Sequence, residues 1–242
     1  MMVSLKKYLA NSWLFPRYIG IVYIEPAMRR AQPYAHGIML DVGCGTRRYE
    51  SIFRSSVDEY IGLDWPEIED RAYPNVVGDA MRIPFMAQSI DTVLATELME
   101  HLPSPQNFLT EVARVLRDGG TLILSVPFME PLHEEPRDYY RFTPYSLRVL
   151  LEQNDFSILQ LWAKGGWWSV VLGSYVNQAI YNWASSLDES GRRRYGILTL
   201  IALPVCAVLQ WLGYQLDRVF HSRKYTLGYT VVAVRELRLD TK

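Results

Sequence analysis

Ile38-Met39-Leu40-Asp41-Val42-Gly43-Cys44-Gly45-Thr46 decides how this chain is read: an apolar run of strand length passes straight into a glycine-rich turn. Glycines at such a turn take positive φ and let backbone approach a ligand closely. The next apolar run, Tyr60–Asp64, ends on an acidic residue where a ribose hydroxyl can be held. Further on, short apolar runs alternate with helical patterns, the mark of βαβ units around a parallel sheet. Strands are predicted at Ile38–Val42, Tyr60–Asp64, Asn75–Gly78, Ile90–Ala95, Thr121–Val126 and Ser157–Trp162. Between the fourth and fifth, Pro105–Leu116 places Phe108, Leu109, Val112, Val115 and Leu116 on one helical face, and Asp118-Gly119-Gly120 supplies the turn after it. Thr143-Pro144 starts another helix, with a capping hydroxyl and a proline at the first position, and that helix ends near Asn154.

Composition narrows the classes. Of 242 residues, 49% are hydrophobic, and 25 Lys and Arg face 26 Asp and Glu, which excludes a disordered chain and gives no broad electrostatic footprint for nucleic acid. Cys44 and Cys206, far apart, make neither a disulfide framework nor a four-cysteine zinc site, and they point to a reducing, cytoplasmic compartment. Met1–Lys7 is mildly basic and Tyr8–Ile24 apolar, but Asn11, Ser12, Pro16 and Arg17 interrupt it, so it reads as a packing or interfacial helix instead of a signal peptide.

A dinucleotide site asks for G-x-G-x-x-G, and Arg48 stands where the third glycine belongs. A cofactor with a ribose and no pyrophosphate fits better, which favours S-adenosylmethionine over NAD. At this point the chain resembles the class I S-adenosylmethionine-dependent methyltransferases of the type 11 kind. The resemblance rests on LDVGCGT (40–46), YIGLD (60–64), GDAMRIPF (78–85), SIDTVLATELMEHL (89–102) and VLRDGGTLILSVPF (115–128), in family order and spacing. It implies a Rossmann-like α/β fold, a seven-stranded mostly parallel sheet whose last strand is antiparallel. It also implies that Asp41, Gly43 and Gly45 cradle the methionine end of the cofactor, that Asp64 holds the ribose, that Asp79 with the backbone of Ala80 and Met81 contacts the adenine, and that Thr96 lines the methionine side. The family has a further glycine where this chain has Arg47, which leaves the loop conformation open and offers a partner for the cofactor's carboxylate. Cys44 reads as a small loop-filling residue, because nothing around it would activate a thiol.

Methyl transfer needs a nucleophile aligned with the methyl group and, for a hydroxyl or acid, a base. Of the four histidines, His36 precedes the first strand and His221 lies beyond the apolar block. His101 and His133 follow the fourth and fifth strands, at the edge where ligands of open α/β sheets bind, and are the catalytic candidates. Glu97, Glu100 and His101 have i, i+3, i+4 spacing and share a face if the segment is a helical turn. They resemble the ExxEH motif of ubiquinone-pathway O-methyltransferases and of small-RNA 2′-O-methyltransferases, the latter implying a divalent metal with His133 as a further ligand. Relatives with an E-H pair and no metal make the metal-free reading the one adopted. The stretch His133–Thr143 is dense in charge and aromatics: Tyr139 and Tyr140 can wall a substrate pocket and Arg137 and Arg141 bind an anionic group, or the same residues form a salt-bridged cap on the next helix.

Residues 165–216 hold two apolar stretches, Gly165–Leu187 and Tyr195–Leu216, without one charge. In the first, Trp168, Leu172, Val176, Ala179, Ile180, Trp183 and Leu187 form a stripe opposed by Ser174, Asn177, Gln178, Ser185 and Ser186, an interfacial pattern. The second, Ile197–Leu212, is apolar all round, interrupted by Pro204, and is flanked by Arg192–Arg194 and by Arg218, Arg223 and Lys224. The domains expected are an N-terminal helical segment (1–37), a cofactor-binding core (38–164), an apolar insert acting as lid or membrane contact (165–224), and a last strand with a tail (225–242). The expected activity is O-methylation of a small, amphipathic or lipid-linked acceptor at the inner face of the membrane, with no nucleic acid partner. The alternatives are a non-catalytic membrane adaptor that keeps the fold and a soluble NAD-dependent oxidoreductase.

Overall fold

The computed structural model describes residues 12–15, 18–65, 74–187, 193–194, 196–220, 222 and 224–236. Met1–Lys7, Arg192, Arg223 and His221 lie outside them.

In chain order the elements are α1 (Tyr18–Ala31), β1 (Ile38–Val42), α2 (Glu50–Phe53), β2 (Glu59–Asp64), β3 (Val76–Val77), β4 (Ile90–Thr96), α3 (Pro105–Val115), β5 (Leu116–Pro127), α4 (Pro144–Glu152) and β6 (Phe156–Lys164). A π-helical segment Ser169–Val176 leads into α5 (Asn177–Ala184), and then come β7 (Ser186–Leu187), β8 (Arg193–Arg194), α6 (Ile197–Val219) and β9 (Gly228–Arg235). The chain divides into two compact units: residues 25–128, 132–162 and 229–242, and residues 1–24, 129–131 and 163–228.

Seven strands form one sheet in the order β3-β2-β1-β4-β5-β9-β6, with β7 and β8 a separate two-stranded piece. The pairs β2–β3, β1–β2, β1–β4 and β4–β5 are parallel. Leu227 N donates to Lys164 O and Glu236 N to Asp155 O, so the start of β9 meets the end of β6 and its end meets the start of β6. The last strand is therefore antiparallel to β6 and wedged between β5 and β6. Strand order reverses direction between β1 and β4, and the crevice at the carboxyl ends of such neighbours is where ligands of open α/β sheets bind.

The core of this unit is the apolar run of each strand packed on helix stripes. Met39, Leu40, Leu63, Leu94, Phe108, Leu109 and Phe156 are fully buried. Helix α3 is capped by Ser104, whose side chain accepts from Asn107 N, and α4 by the reciprocal Thr143–Ser146 box with Pro144 at its first position. The charged stretch before α4 is thus not needed as its cap.

Two local readings change. Asp118-Gly119-Gly120 lies within β5 and not in a connecting turn: Ile90 pairs with Leu116 and Thr92 with Thr121, so residues 117–120 bulge out of the ladder and Gly119, at φ +77°, absorbs the bend. The third strand shrinks to Val76–Val77: Gly78 N still donates to Asp64 O, but Asp79 already pairs with Arg82 in a turn.

Candidate functional site

The parallel register sets Val42 beside Leu63 and Ala95, Asp64 beside Val77, and Thr96 beside Ser125, so the turns after β1, β2, β3 and β4 leave the sheet at one edge. The first turn is built by the backbone. Gly43 N and Cys44 N both donate to Leu63 O, at 2.8 and 3.2 Å. Gly43 has φ +72°, and a Cβ there would stand 2.9 Å from Leu98 Cδ1; Gly45 has φ +50°. Arg47, where the resembling family has a glycine, adopts φ +52° all the same. The loop keeps the left-handed turn at a cost of roughly 1–2 kcal/mol, and the Arg47 guanidinium is held by Asn75 Oδ1 at 3.2 Å and Glu50 at 3.8 Å.

Asp64 ties this loop to β2. Its Oδ2 accepts from Gly45 N and its Oδ1 from Trp65 N, both at 2.7 Å. Asp41 lies one layer deeper, buried, with Oδ2 accepting from Tyr60 OH at 2.5 Å. Burial pushes the Asp41 carboxyl up to about 7, with the nearby Asp64 charge adding to the rise and the Tyr60 hydrogen bond opposing it. Asp41 thus supports the floor of the loop. Cys44 is buried with its thiol pushed up to about 12, chiefly by that burial, so it is inert packing; its sulfur sits where a side chain at Gly62 would be.

After β3, Asp79 Oδ1 accepts from Met81 N at 2.8 Å, next to the buried Ala80. This segment is clamped from α3. Arg114 makes a two-point bond to Glu111 and donates to Ile83 O and Phe85 O, all at 2.8 Å, while Glu111 Oε2 accepts from Ile83 N at 2.9 Å. Arg114→Ala is expected to lower the thermal midpoint by about 5 °C, in line with the loss of ~1–2 kcal/mol of net hydrogen bonding. It should also weaken S-adenosylhomocysteine binding several-fold by loosening residues 79–85. Arg114→Lys should not restore either property, because an ammonium lacks the fork that reaches a carboxylate and two carbonyls together. Scanning calorimetry with and without ligand checks both.

The histidines come together after β4 and β5. Met99–His101 is a short 3₁₀ turn, not an α-helical one, and Glu97 stands outside it at φ +48°. Glu97 N still pairs with Ser125 O, and its carboxylate accepts from Ser125 Oγ at 2.6 Å. The expected shared face of Glu97, Glu100 and His101 is therefore corrected: continued strand pairing holds Glu97 away from the other two. Instead, Glu100, His101 and His133 gather, with ligand atoms all within 4.8 Å of one another. The Glu100 side chain is 0% exposed; its Oε1 lies 3.6 Å from His101 Nε2 and 3.9 Å from His133 Nε2. The two imidazole rings meet edge to face, 5.0 Å apart.

Each imidazole is oriented from its far side. His101 Nδ1 lies 2.5 Å from Arg137 O. His133 Nδ1 lies 3.5 Å from Asp138 Oδ2 and 3.3 Å from Arg141 Nη2, and its backbone N donates to Asp138 Oδ2 at 2.8 Å. Arg141 forks onto both oxygens of Asp138, at 2.6 and 2.8 Å. Burial opposes charge on Asp138, but the Arg141 bonds and the His133 N–H outweigh it and hold the carboxyl down to about 2. Arg141 thus serves the His133 loop. Arg137, Tyr139 and Tyr140 are exposed beside it, with Tyr139 N donating to Glu100 O and Tyr140 OH to Pro103 O. Sequence reasoning missed Tyr60, Glu111, Arg114 and Asp138, all partners fixed by register or by helix packing.

The donor set suits S-adenosylmethionine. Two glycines in the left-handed region shape the loop after β1, and the Asp64 carboxylate at the end of β2 is bonded directly to that loop through Gly45 N, which puts an acidic group beside the glycine turn where a ribose is held.

Residues 40–124 match a family model described as a methyltransferase domain. An uncharacterized chloroplastic methyltransferase of Arabidopsis thaliana is 27% identical over 143 residues, which is 48% of this chain and 40% of that protein. The match thus spans less than half of that relative's length. Among solved structures, an S-adenosylmethionine-dependent methyltransferase from Archaeoglobus fulgidus aligns with a TM-score of 0.52 at 16% identity, over 90% of this chain and 94% of that one. The [4+2]-cyclase SpnF aligns with a TM-score of 0.54 at 16% identity, over 88% of this chain and 80% of that one. At such identity these two establish the fold alone.

Proposed function

From the match of residues 40–124 to a methyltransferase domain we propose that the chain is a class I, S-adenosylmethionine-dependent methyltransferase that methylates an oxygen of a small, amphipathic or lipid-linked acceptor at the cytoplasmic face of a membrane. The observation that carries the reading is the pairing, on one sheet edge, of a glycine loop tied down by Asp64 with two imidazoles converging on buried Glu100. S-adenosylmethionine, when bound, supplies a methyl group already activated by its sulfonium. The chain's own residues do the rest. Asp64 holds the ribose hydroxyls, Asp79 keeps the 79–85 segment folded for the adenine, and the loop after Gly43 receives the methionine end. His101 or His133 takes the acceptor's proton, and the Glu100 carboxylate stabilises the imidazolium that results. Arg137 O and the Asp138–Arg141 pair hold the rings in place.

The test is transfer of label from methyl-tritiated S-adenosylmethionine into an organic extract of cells that express the protein. Of His101→Ala and His133→Ala, the variant that removes the base should slow transfer by about 10²–10⁴-fold, with S-adenosylhomocysteine affinity unchanged. Transfer at the wild-type rate by both variants would rule the histidines out as bases. A second reading has the Glu100, His101 and His133 donors hold a divalent cation, since two nitrogens and one oxygen converge there. In that case EDTA abolishes transfer and Mg²⁺ or Mn²⁺ restores it; under the first reading EDTA has no effect.

A further inference from the structure

The second unit is built inside out. The π-helical segment and α5 run antiparallel along α6: Thr199 Oγ1 donates to Ala184 O at 2.8 Å, Cys206 Sγ lies 3.6 Å from Asn177 O, and Asp217 accepts from Gly166 N, Trp168 N and Ser169 N at 2.8–3.0 Å. The inward stripe of α6 is small or polar: Thr199, Ala202, Cys206, Gln210, Gly213 and Asp217 are its buried residues. Gln210 accepts from Ile19 N at 2.8 Å and donates to Trp13 O and Phe15 O at 3.0 Å, and at Gly213 a Cβ would stand 2.8 Å from Trp168 O, so the helices touch backbone to backbone. The large apolar side chains point out. Leu200 is 68% exposed and Val208 60%, and Ile197, Ile201, Val205 and Trp211 share the same face. Along the preceding segment Ser174, Asn177 and Ser185 are buried together with Tyr181 and Ala184, while Val176, Ala179 and Trp183, itself 77% exposed, face outward.

A helix in water buries its apolar stripe. Close contact through small residues, with polar side chains bonded inside and bulky apolar ones outside, is the arrangement of helices that meet hydrocarbon. From Tyr195 to Leu216 the sequence has no charge, whereas a surface for another protein carries a polar rim. Basic residues lie at both ends, Arg192–Arg194 before and Arg218, Arg223 and Lys224 after, and among these Arg218 and Lys224 are exposed. That is the charge complement of anionic headgroups.

We infer that the outward face of α6, extended by Val176 and Trp183, is a docking surface for an anionic lipid bilayer, and that α6 lies in the plane of the interface. At 23 residues the helix is long enough to cross a bilayer. Its apolar exposure, however, follows one side only, with the other side bonded to its own chain through Gln210 and Asp217, which is the geometry of an interfacial helix. The surface deepens the membrane location proposed above but uses no residue of the methyl-transfer site, so flotation and methyl transfer are tested separately.

The full chain, purified without detergent, is floated with vesicles of phosphatidylcholine containing one quarter phosphatidylglycerol, and with phosphatidylcholine alone. The wild type should float with the anionic vesicles, and at least fivefold less with the neutral ones. Leu200→Glu/Val208→Glu changes two exposed positions. It should cut flotation at least tenfold while leaving the thermal midpoint and S-adenosylhomocysteine binding as in the wild type. Should that variant misfold, Arg218→Glu/Lys224→Glu, outside the apolar face, should still reduce anionic binding several-fold. A wild type that stays in the aqueous fraction overturns the proposal. So does sedimentation showing a stable dimer that Leu200→Glu/Val208→Glu breaks, because a second copy would then cover the face.

Discussion

Asp64→Ala is expected to weaken S-adenosylhomocysteine binding by about two to three orders of magnitude, measured by calorimetric titration with NADH as the control ligand. The residue acts twice. Its oxygens accept from Gly45 N and Trp65 N and so pin the glycine loop to β2, and the same carboxylate is the group proposed to hold the ribose. A hydrogen bond to a charged group is worth about 1.5–3 kcal/mol, and each 1.4 kcal/mol is tenfold in affinity. Losing two such bonds to the ligand accounts for the expected range before any loosening of the loop. Asp64→Asn keeps one acceptor oxygen and should fall between. Wild-type affinity in Asp64→Ala would remove the ribose role. A well-folded wild type that binds no S-adenosylhomocysteine would leave the domain without its cofactor, and the adaptor that merely keeps the fold would take its place.

Asp41 should make the protein less stable as pH rises from about 4 to 7. Its folded carboxyl is raised from 3.8 to about 7. A raised acid is fully compatible with folding while protonated in both states, below its unfolded value. As pH climbs through the folded value, the unfolded chain ionises first and gains. Three units at 1.36 kcal/mol each put the loss at about 4 kcal/mol, roughly 10 °C in melting temperature for a chain of this size. Asp41→Asn keeps an acceptor for Tyr60 and has nothing to titrate. It should melt near the wild type at pH 4.5 and well above it at pH 8. Parallel pH profiles for the two proteins would show that the Asp41 carboxyl does not titrate in this window.

The legible part of the site follows from covalent neighbourhood. Gly43, Gly45, Asp64 and Asp79 lie at the ends of apolar runs, and any parallel sheet built from those runs delivers its carboxyl ends to one edge. The histidines were legible for the same reason. Arg47 shows where this logic stops: its place in the loop demanded a left-handed residue, and the fold imposed φ +52° on an arginine regardless. Glu97 shows the same limit from the other side. Its spacing to Glu100 and His101 suits a helix, but the ladder with Ser125 extends one residue further and turns it away.

Tyr60 and Arg114 had no sequence signal, and Asp138 had only that of a charge-dense stretch. Tyr60 reaches Asp41 only because β1 and β2 pair in the register that sets Met39 beside Tyr60. The Asp138–Arg141 fork was two opposite charges in a crowded stretch until folding turned it toward His133. In the apolar block, hydropathy alone established two long uncharged segments but left open which side of each faces its own chain. Periodicity reports that a helix has two faces; which one is buried depends on the partner that meets it. Here Gln210 and Asp217 find buried backbone N–H and carbonyl groups to satisfy, and that drew the polar stripe inward and left leucine, valine and tryptophan outside. The positions of the strands and the glycine loop were thus written in local sequence, because they depend on neighbours along the chain. The meeting of His133 with Glu100, the Tyr60–Asp41 support and the orientation of the apolar helices were decided only in the tertiary structure, because each depends on a partner distant in sequence, 19 residues away for Tyr60 and Asp41 and as many as 197 for Gln210 and Trp13.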